Sequence, residues 1–336
     1  MDSSMGRETS HQRPRVSVVL IFLDEEPFLE EAVDSVLSQT FEAWELLLVD
    51  DGSTDGSTES AKVAARRLPQ KVRFYEHEGH ANRGISTSRN VGLKHAQGEY
   101  VLFLDGDDVL TRNALSEQVA LMEAHPEVGM VYGPLQWWYG WNGDPDEQLR
   151  DYIQNLDQEP NTTIEPPTLV ASFLRNQHAT PSGNLFRTSL VREVGGFEDE
   201  FVGMYDDTVL RVKFCLRFPV YVSSRVWYKY RKHADSTCAQ AWKMNKVHEA
   251  RGRFLYWTEN YFRQHHLRDA RVWKALREAL HPFRYPRLTM VEKKMGLYKT
   301  RMVWRMVETA IPIARRVLPK AIRERIWNYL RHILRF

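Results

Sequence analysis

A doubly wound α/β fold is the architecture this 336-residue sequence predicts, and three observations carry the prediction. Short, continuously apolar runs recur up to residue 132. Stretches with apolar positions at helical spacing separate them. The runs end on acidic or turn-forming residues. Apolar runs without alternation belong to strands covered on both faces, and strands alternating with helices imply βαβ units around a mostly parallel sheet.

Val16 to Leu23 (VSVVLIFL) is the first buried strand. Glu25 to Gln39 follows as a helix, with Phe28, Leu29, Ala32, Val33, Val36 and Leu37 at helical spacing. Glu45 to Val49 (ELLLV) is a second strand closing on Asp50-Asp51-Gly52-Ser53. Helix 57–68, strand 72–75, helix 85–97, strand 100–104, helix 111–124 and strand 128–132 complete the alternation. Residues 137–167, rich in Trp, Asp, Asn and Pro, lose the pattern and read as a long loop or lid. Helix 168–175, strand 184–187 and helix 188–194 restore it, the last ended by Gly195-Gly196, where a left-handed cap needs glycine. Helix 206–217 and a strand at 219–223 precede a region that reads as helical from about 241.

With 43% hydrophobic and 27% charged residues, the chain has the composition of a globular protein with a core. Two cysteines, Cys215 and Cys238, do not make a disulfide framework, which predicts a reducing, cytoplasmic compartment. Residues 1–14 are polar and read as disordered; they lack the apolar segment of a secretion signal, and no run of about 18 apolar residues predicts a membrane span.

The net charge of +2 hides an asymmetry. From residue 284 onward there are 14 basic and 3 acidic residues, whereas the rest carries 32 basic and 41 acidic ones. Ile322, Ile326, Trp327, Leu330, Ile333 and Leu334 form an apolar stripe beside Arg323, Arg325, Arg331 and Arg335. A basic amphipathic helix containing Trp fits an anionic membrane surface, although the same face also fits packing on the body or on a second subunit. No nucleic-acid reader motif accompanies the charge, so nucleic acid is not an expected partner.

In doubly wound sheets ligands sit at the carboxyl ends of the strands. Asp50, Asp51, Asp105 and Asp107 all fall there, the last two in VLFLDGDDVL (101–110). Clustered carboxylates offering only hard oxygen ligands suit Mg²⁺ or Mn²⁺, with substrate phosphates and water completing the shell. The segment also resembles the nucleophile loop of haloacid-dehalogenase-type phosphatases, with Asp105 as nucleophile, Asp107 as acid/base and Asp206-Asp207 as metal pair; that reading leaves the preceding hundred residues without a role.

Four further pieces extend the pattern in order: VSVVLIFLDEEPFLEEAVDSVLSQTFEAWELLLVDDGSTDGS (16–57), NRGISTSRNVGLKHAQGEYVLFLDGDD (82–108), SGNLFRTSLVREVGGFEDEF (182–201), and Asp206-Asp207 with YRKHADS (230–236). Together they resemble the inverting nucleotide-sugar glycosyltransferases of family 2, over about residues 14–235. The resemblance implies the GT-A fold, a Rossmann-like mixed sheet flanked by helices. It further implies a nucleotide-binding part (15–132), an acceptor-side part (133–235), and a helical C-terminal extension (236–336).

It also implies roles. Leu23, Asp24, Glu25, Asp50, Asp51, Arg89, Asp105 and Gly106 would contact the nucleotide, with Asn90 supporting the Arg89 loop. Asp107, Asp105 and His233 would bind a divalent metal, Mn²⁺ or Mg²⁺, and Asp207 or Asp206 would be the general base. Ile21, Leu23 and Asp24 depart from the family's small polar residue, aromatic and Asn, and Asp206 stands where a Glu is usual. The donor implied is a nucleoside-diphosphate sugar, with UDP favoured, and the acceptor a glycan or lipid-linked glycan. A catalytically silent nucleotide-binding scaffold would keep the same motifs.

Trp137, Trp138 and Trp141 offer ring faces on which sugars stack, so they are candidates for an acceptor groove, or else plugs beneath the loop. His178 is a further acceptor-side candidate or a structural histidine. Lys229, Arg231 and Lys232, around His233, suggest a flexible cationic segment that closes on a diphosphate.

Overall fold

The computed structural model describes residues 13–175 and 182–294. β1 (Val16–Phe22) is buried at all seven positions. The chain then forms α1 (Leu29–Leu37), β2 (Trp44–Asp50), α2 (Ser57–Arg67), β3 (Val72–Glu76), α3 (Ile85–His95), β4 (Tyr100–Asp105), β5 (Val109–Leu110) and α4 (Ala114–Ala124). Next come β6 (Met130–Tyr132), β7 (Leu135–Trp138), α5 (Pro145–Gln148), β8 (Tyr152–Ile153), β9 (Thr162–Ile164) and α6 (Thr168–Leu174). β10 (Leu185–Arg187), α7 (Thr188–Glu193), α8 (Asp206–Cys215), β11 (Val220–Val222) and β12 (Tyr228–Arg231) follow. The described chain ends with α9 (Thr237–Lys243), α10 (Val247–Gln264), α11 (Ala270–Arg284) and α12 (Pro286–Lys294).

The main sheet has the order β3-β2-β1-β4-β10-β6-β11-β9. β3, β2, β1 and β4 run parallel, β10 is inserted antiparallel between β4 and β6, and β9 runs antiparallel at the edge. The parallel half is thus doubly wound and the sheet as a whole mixed. Its core joins β1, β2 and β4 to α1 and α4 through fully buried Leu20, Leu46, Leu102 and Leu115. Truncating Leu20 to Ala in such a core costs about 2–5 kcal/mol.

A second sheet of order β5-β12-β7-β8 decides where the site forms. Only Gly106, Asp107 and Asp108 separate β4 in the large sheet from β5 in the small one. β5 pairs with β12, with Leu110 opposite Tyr228 and Val109 opposite Lys229. That register brings the residues after β12, His233 among them, back to the acidic loop.

The differences from the sequence reading have local causes. The first helix starts at Leu29 rather than Glu25, because Asp24 is left-handed (φ 55°) and the Glu25 carbonyl closes a turn with the N–H groups of Phe28 and Leu29. The helix after β4 starts at Ala114, since 109–110 pair as a strand and the Thr111 N–H donates to the Trp227 carbonyl. The 137–167 stretch is more regular than a loop, carrying part of β7 together with α5, β8 and β9. Its strands are short and follow no alternation, so periodicity alone does not reveal them. Residues 228–231 form a strand, not a flexible segment.

Two compact units divide between Val272 and Trp273, within α11, so α9 and α10 belong to the unit that holds both sheets. In the second unit, α11 buries Ala275, Leu276 and Leu280. No helix among the described residues is long and apolar enough to cross a membrane. Residues 1–12 and the amphipathic stripe at 322–334 lie outside the described residues.

Candidate active site

At the carboxyl end of β4, one carboxylate oxygen each from Glu25 and Asp107 and a ring nitrogen of His233 lie within 4.8 Å of one another. His233 Nε2 is 3.0 Å from Asp107 Oδ2, while its Nδ1 is buried with no hydrogen-bond partner. Burial, together with the charges of Asp107 and Asp105, pushes the Glu25 carboxyl up to about 8. The residues therefore fit a hard divalent cation: two carboxylates and an imidazole converge where negative charge is uncompensated. Glu25, expected at the nucleotide, belongs to this trio because the turn at Asp24 keeps it off α1.

The trio rests on a buried support. Asp108 is wholly buried and accepts hydrogen bonds from the Tyr228 hydroxyl and the Arg231 backbone N–H, both on β12. Burial and the neighbouring Asp107 and Asp105 hold its carboxyl well above the usual range. The Arg231 guanidinium, also buried, donates to the Asp107 carbonyl and to Glu31. It lies over the rings of Phe28, Trp138 and Trp141. Arg231 therefore clamps the acidic loop from beneath instead of closing on a diphosphate.

The second acidic end is built differently. Asp50 has no exposed surface; its oxygens accept from the N–H groups of Gly52 and Ser53 and from the Thr58 hydroxyl. It shapes the turn into α2, and the expected nucleotide contact does not fit that placement. Asp51 Oδ1 accepts from the N–H groups of Arg83 and Gly84 and from the Ser88 hydroxyl, tying β2 to the loop before α3. Asp24 spends Oδ1 on Thr54, whereas Leu23 beside it is 37% exposed. Gly106 is required by packing, because a Cβ there would meet Phe22 Cβ at 2.7 Å. Asp50, Glu76 and His80 also cluster, but both ring nitrogens of His80 are spent, on Glu76 and on the Ser53 carbonyl.

Farther along the same edge, buried Arg89 joins two acidic elements. One terminal nitrogen reaches Asp105 at 2.7 Å and the other pairs with Asp206. Arg89 thus points to carboxylates, not to the nucleotide expected for it. Asp105 is likewise held by Arg89 and stands outside the cation trio. Asn90 fixes the neighbouring corner by exchanging hydrogen bonds with the Phe197 backbone, just after left-handed Gly195 and Gly196.

Asp206 and Asp207 open α8, yet their surroundings diverge. The Asp206 side chain is 8% exposed and occupied by Arg89; that of Asp207 is 39% exposed and pairs with Arg211 one turn on. Burial pushes the Arg211 guanidinium down to about 10. Tyr205, the residue before the pair, is left-handed (φ 67°), a conformation that costs a bulky side chain of order 1–3 kcal/mol. Its ring stacks on Phe254 of α10 at 5.0 Å, beneath the guanidinium of Arg251. Those contacts hold the entry to α8 and so aim the pair. The i,i+4 spacing of Asp207 and Arg211 was a signal in the sequence; the contributions of Tyr205, Glu31 and Tyr228 had none.

The tryptophans act mainly as supports. Trp137 stacks on Tyr152 at 5.9 Å and meets Tyr230 edge-on. Trp138 lies under Arg231 and Lys229. Trp141 donates its Nε1–H to the Lys232 carbonyl and meets Phe28 edge-on. Their ring faces are largely taken, which favours the plug over the acceptor groove. His178 lies outside the described residues.

Residues 17–195, just over half the chain, match the family described as Glycosyl transferase family 2. The chain belongs to that family. It is 33% identical over 151 residues to the minor teichoic acid biosynthesis protein GgaB of Bacillus subtilis, covering 43% of this chain and 16% of that protein. It is 40% identical over 94 residues to the cholesterol galactosyltransferase of Borreliella burgdorferi, covering 28% and 25% respectively. The chain spans less than half the length of the curated relatives named here. Among solved structures, S. aureus TarS 1–349 in complex with UDP-GlcNAc superposes with a TM-score of 0.52 at 22% identity, over 65% of this chain and 59% of that one. The mannosyltransferase PcManGT from Pyrobaculum calidifontis, in complex with GDP-Man and Mn²⁺, gives 0.54 at 20% identity, over 96% and 85%. These likenesses establish the GT-A fold. The phosphatase reading falls with the family match and with Asp105, its nucleophile, held by Arg89.

Proposed function

We propose that the chain is an inverting, cation-dependent glycosyltransferase that moves a sugar from a nucleoside-diphosphate sugar, UDP favoured, to a hydroxyl of a glycan or lipid-linked glycan. The observation that carries the reading is the convergence of Glu25, Asp107 and His233, together with a partly exposed carboxylate, Asp207, that opens α8 and lines one cavity with Asp105. A divalent cation, Mn²⁺ or Mg²⁺, held by the trio would neutralise the charge that gathers on the departing diphosphate. Asp207 takes the proton of the acceptor hydroxyl as its oxygen bonds to the sugar's anomeric carbon. The bond from that carbon to the diphosphate oxygen breaks at the same time, and its electron pair leaves with the diphosphate. One base facing away from the leaving group inverts the configuration. Asp206 is less suited to this task because its side chain is buried against Arg89, whereas that of Asp207, though paired with Arg211, is more open to an acceptor.

The relatives support the donor class by what they bind: UDP-GlcNAc for TarS, GDP-Man with Mn²⁺ for PcManGT. A thermal-shift series with UDP, GDP, dTDP and CMP, each with Mn²⁺, Mg²⁺ or EDTA, tests the reading, since a ligand that binds only the folded state must raise the melting temperature. Cation-dependent stabilisation by one nucleoside diphosphate is expected. No stabilisation by any of them would overturn the reading; stabilisation without sugar transfer would leave a nucleotide-binding scaffold.

The basic segment from residue 284 is inferred to place the enzyme on the anionic inner face of a membrane, near a lipid-linked acceptor. Cosedimentation with phosphatidylglycerol vesicles, but not with phosphatidylcholine ones, is the expected result.

A further inference from the structure

The segment that leads into α8 is gripped at both ends by α10. Phe201 is wholly buried and meets Trp257 edge-on at 5.8 Å. Four residues later the Tyr205 ring stacks on Phe254, and the Arg251 guanidinium lies over both rings, 5.6 Å from Tyr205 and 5.4 Å from Phe254. Arg251, Phe254 and Trp257 recur at every third position, so they share one face of the helix.

Arg251 extends the grip to a third element. It donates to the carbonyl of Phe173, at 3.2 Å, and to that of Leu174, at the end of α6. The last carbonyls of a helix lack partners within it and carry partial negative charge, so a guanidinium suits that place. Burial pushes the Arg251 guanidinium down from its ordinary value, and these carbonyls and the two rings offset that cost.

Between the two anchors the backbone is forced. Gly203 (φ 89°) and Tyr205 (φ 67°) are both left-handed, a conformation that glycine takes freely and tyrosine does not. The Tyr205 carbonyl accepts the Val209 N–H at 2.8 Å, so the conformation of Tyr205 sets the direction in which α8 starts. Its side chain makes no capping hydrogen bond to the helix. The ring is instead spent on α10. Asp206 and Asp207 form the turn that starts there; Arg89 holds Asp206 from α3, and α10 holds the residue before it.

We propose that α10 belongs to the catalytic apparatus, with Arg251 and Tyr205 as positioning residues that aim Asp207 at the acceptor hydroxyl. The inference rests on the assignment of Asp207 as the base. It gives a catalytic task to a helix outside the family-matched residues 17–195.

The test compares wild type with Arg251→Met, Tyr205→Gly and Tyr205→Phe in Mn²⁺. UDP-glucose, UDP-galactose, UDP-GlcNAc and GDP-mannose are offered with water standing in for the acceptor, and release of UDP or GDP is read. Arg251→Met and Tyr205→Gly are expected to lower kcat about 10–100-fold, the cost of a base misplaced by about 1 Å, with the donor KM within about twofold of wild type. Tyr205→Phe keeps the ring and is expected to recover most of the loss seen in Tyr205→Gly. Combined with Asp207→Asn, Arg251→Met is expected to cause no further loss, because it acts through the group already removed. A wild-type kcat in both Arg251→Met and Tyr205→Gly, equal changes in kcat and KM, or losses that add to that of Asp207→Asn would each overturn the proposal. Glycine accepts the left-handed conformation without strain, so Tyr205→Gly decides the matter even where Arg251→Met fails to fold. A wild-type kcat in Asp207→Asn would instead overturn the base assignment, and this inference with it.

Discussion

At the end of β2, Asp50 and Asp51 spend carboxylate oxygens on the chain's own N–H and hydroxyl groups. At the end of β4, Asp105 meets Arg89, Asp107 meets His233 and Glu25, and Asp108 is buried beneath them. The difference lies in what faces each end. The β2 end meets a loop rich in free backbone donors, so its carboxylates are neutralised by hydrogen bonds. The β4 end meets other acidic groups, and burial with their mutual repulsion raises the Glu25 and Asp108 carboxyls. Adjacent acidic residues also diverge: Asp206 is buried against Arg89, whereas Asp207 beside it is more exposed.

The largest expected effect falls at the end of β4. Asp107→Asn should abolish transfer and cation-dependent nucleotide stabilisation, with the melting temperature of the free protein within a few degrees of wild type. Transfer retained with an undiminished cation requirement would remove Asp107 from the site. Asp207→Asn should leave donor affinity unchanged and lower kcat by about 10²–10⁴, the scale of a lost general base. A matching loss of donor affinity would point to a ligand role.

On the buried side, Asp108→Ala removes the acceptor of two buried hydrogen bonds. A loss of about 2–3 kcal/mol, or about 5–10 °C in melting temperature, is expected. A stability equal to wild type would show that β12 does not depend on it. Asp50→Asn should cost about 1 kcal/mol in chemical denaturation and leave nucleotide binding intact; nucleotide binding lost with the fold retained would restore Asp50 to the ligand site.

The smallest effect concerns pH. Folding raises the Glu25 carboxyl from its ordinary value to about 8, so the folded state binds more protons than the unfolded state between about 4.5 and 8. In EDTA, stability contributed by protonated Glu25 is present below that window and lost as pH rises through it. Glu25→Gln should flatten the decline in a thermal-melt series from pH 5 to 9. An identical slope in both proteins would assign the decline to other groups.

How much was legible followed the range of the forces involved. Parallel strands buried on both faces write their position directly into the sequence, and Val16–Phe22 and Trp44–Asp50 fall within a residue of the expected bounds. The short strands β5, β7, β8 and β12 have no such pattern, because their stability comes from pairing with one another. The acidic residues could be counted and placed at strand ends, but their partners are distant in sequence: Arg231 lies 124 residues from Asp107, and Arg89 lies 117 from Asp206.

By itself, the sequence determined the doubly wound half of the fold and the strand ends where acidic residues gather, because local burial patterns and turn residues act within a few positions. Tertiary structure decided which carboxylates converge and which are spent on internal partners. The small sheet carries His233 and Arg231 to the acidic loop, and the turn at Asp24 delivers Glu25. Arg89 engages Asp206 and leaves Asp207 more exposed. The fate of a buried charge depends on what stands within a few ångströms of it, and that is set by packing between elements far apart in the chain.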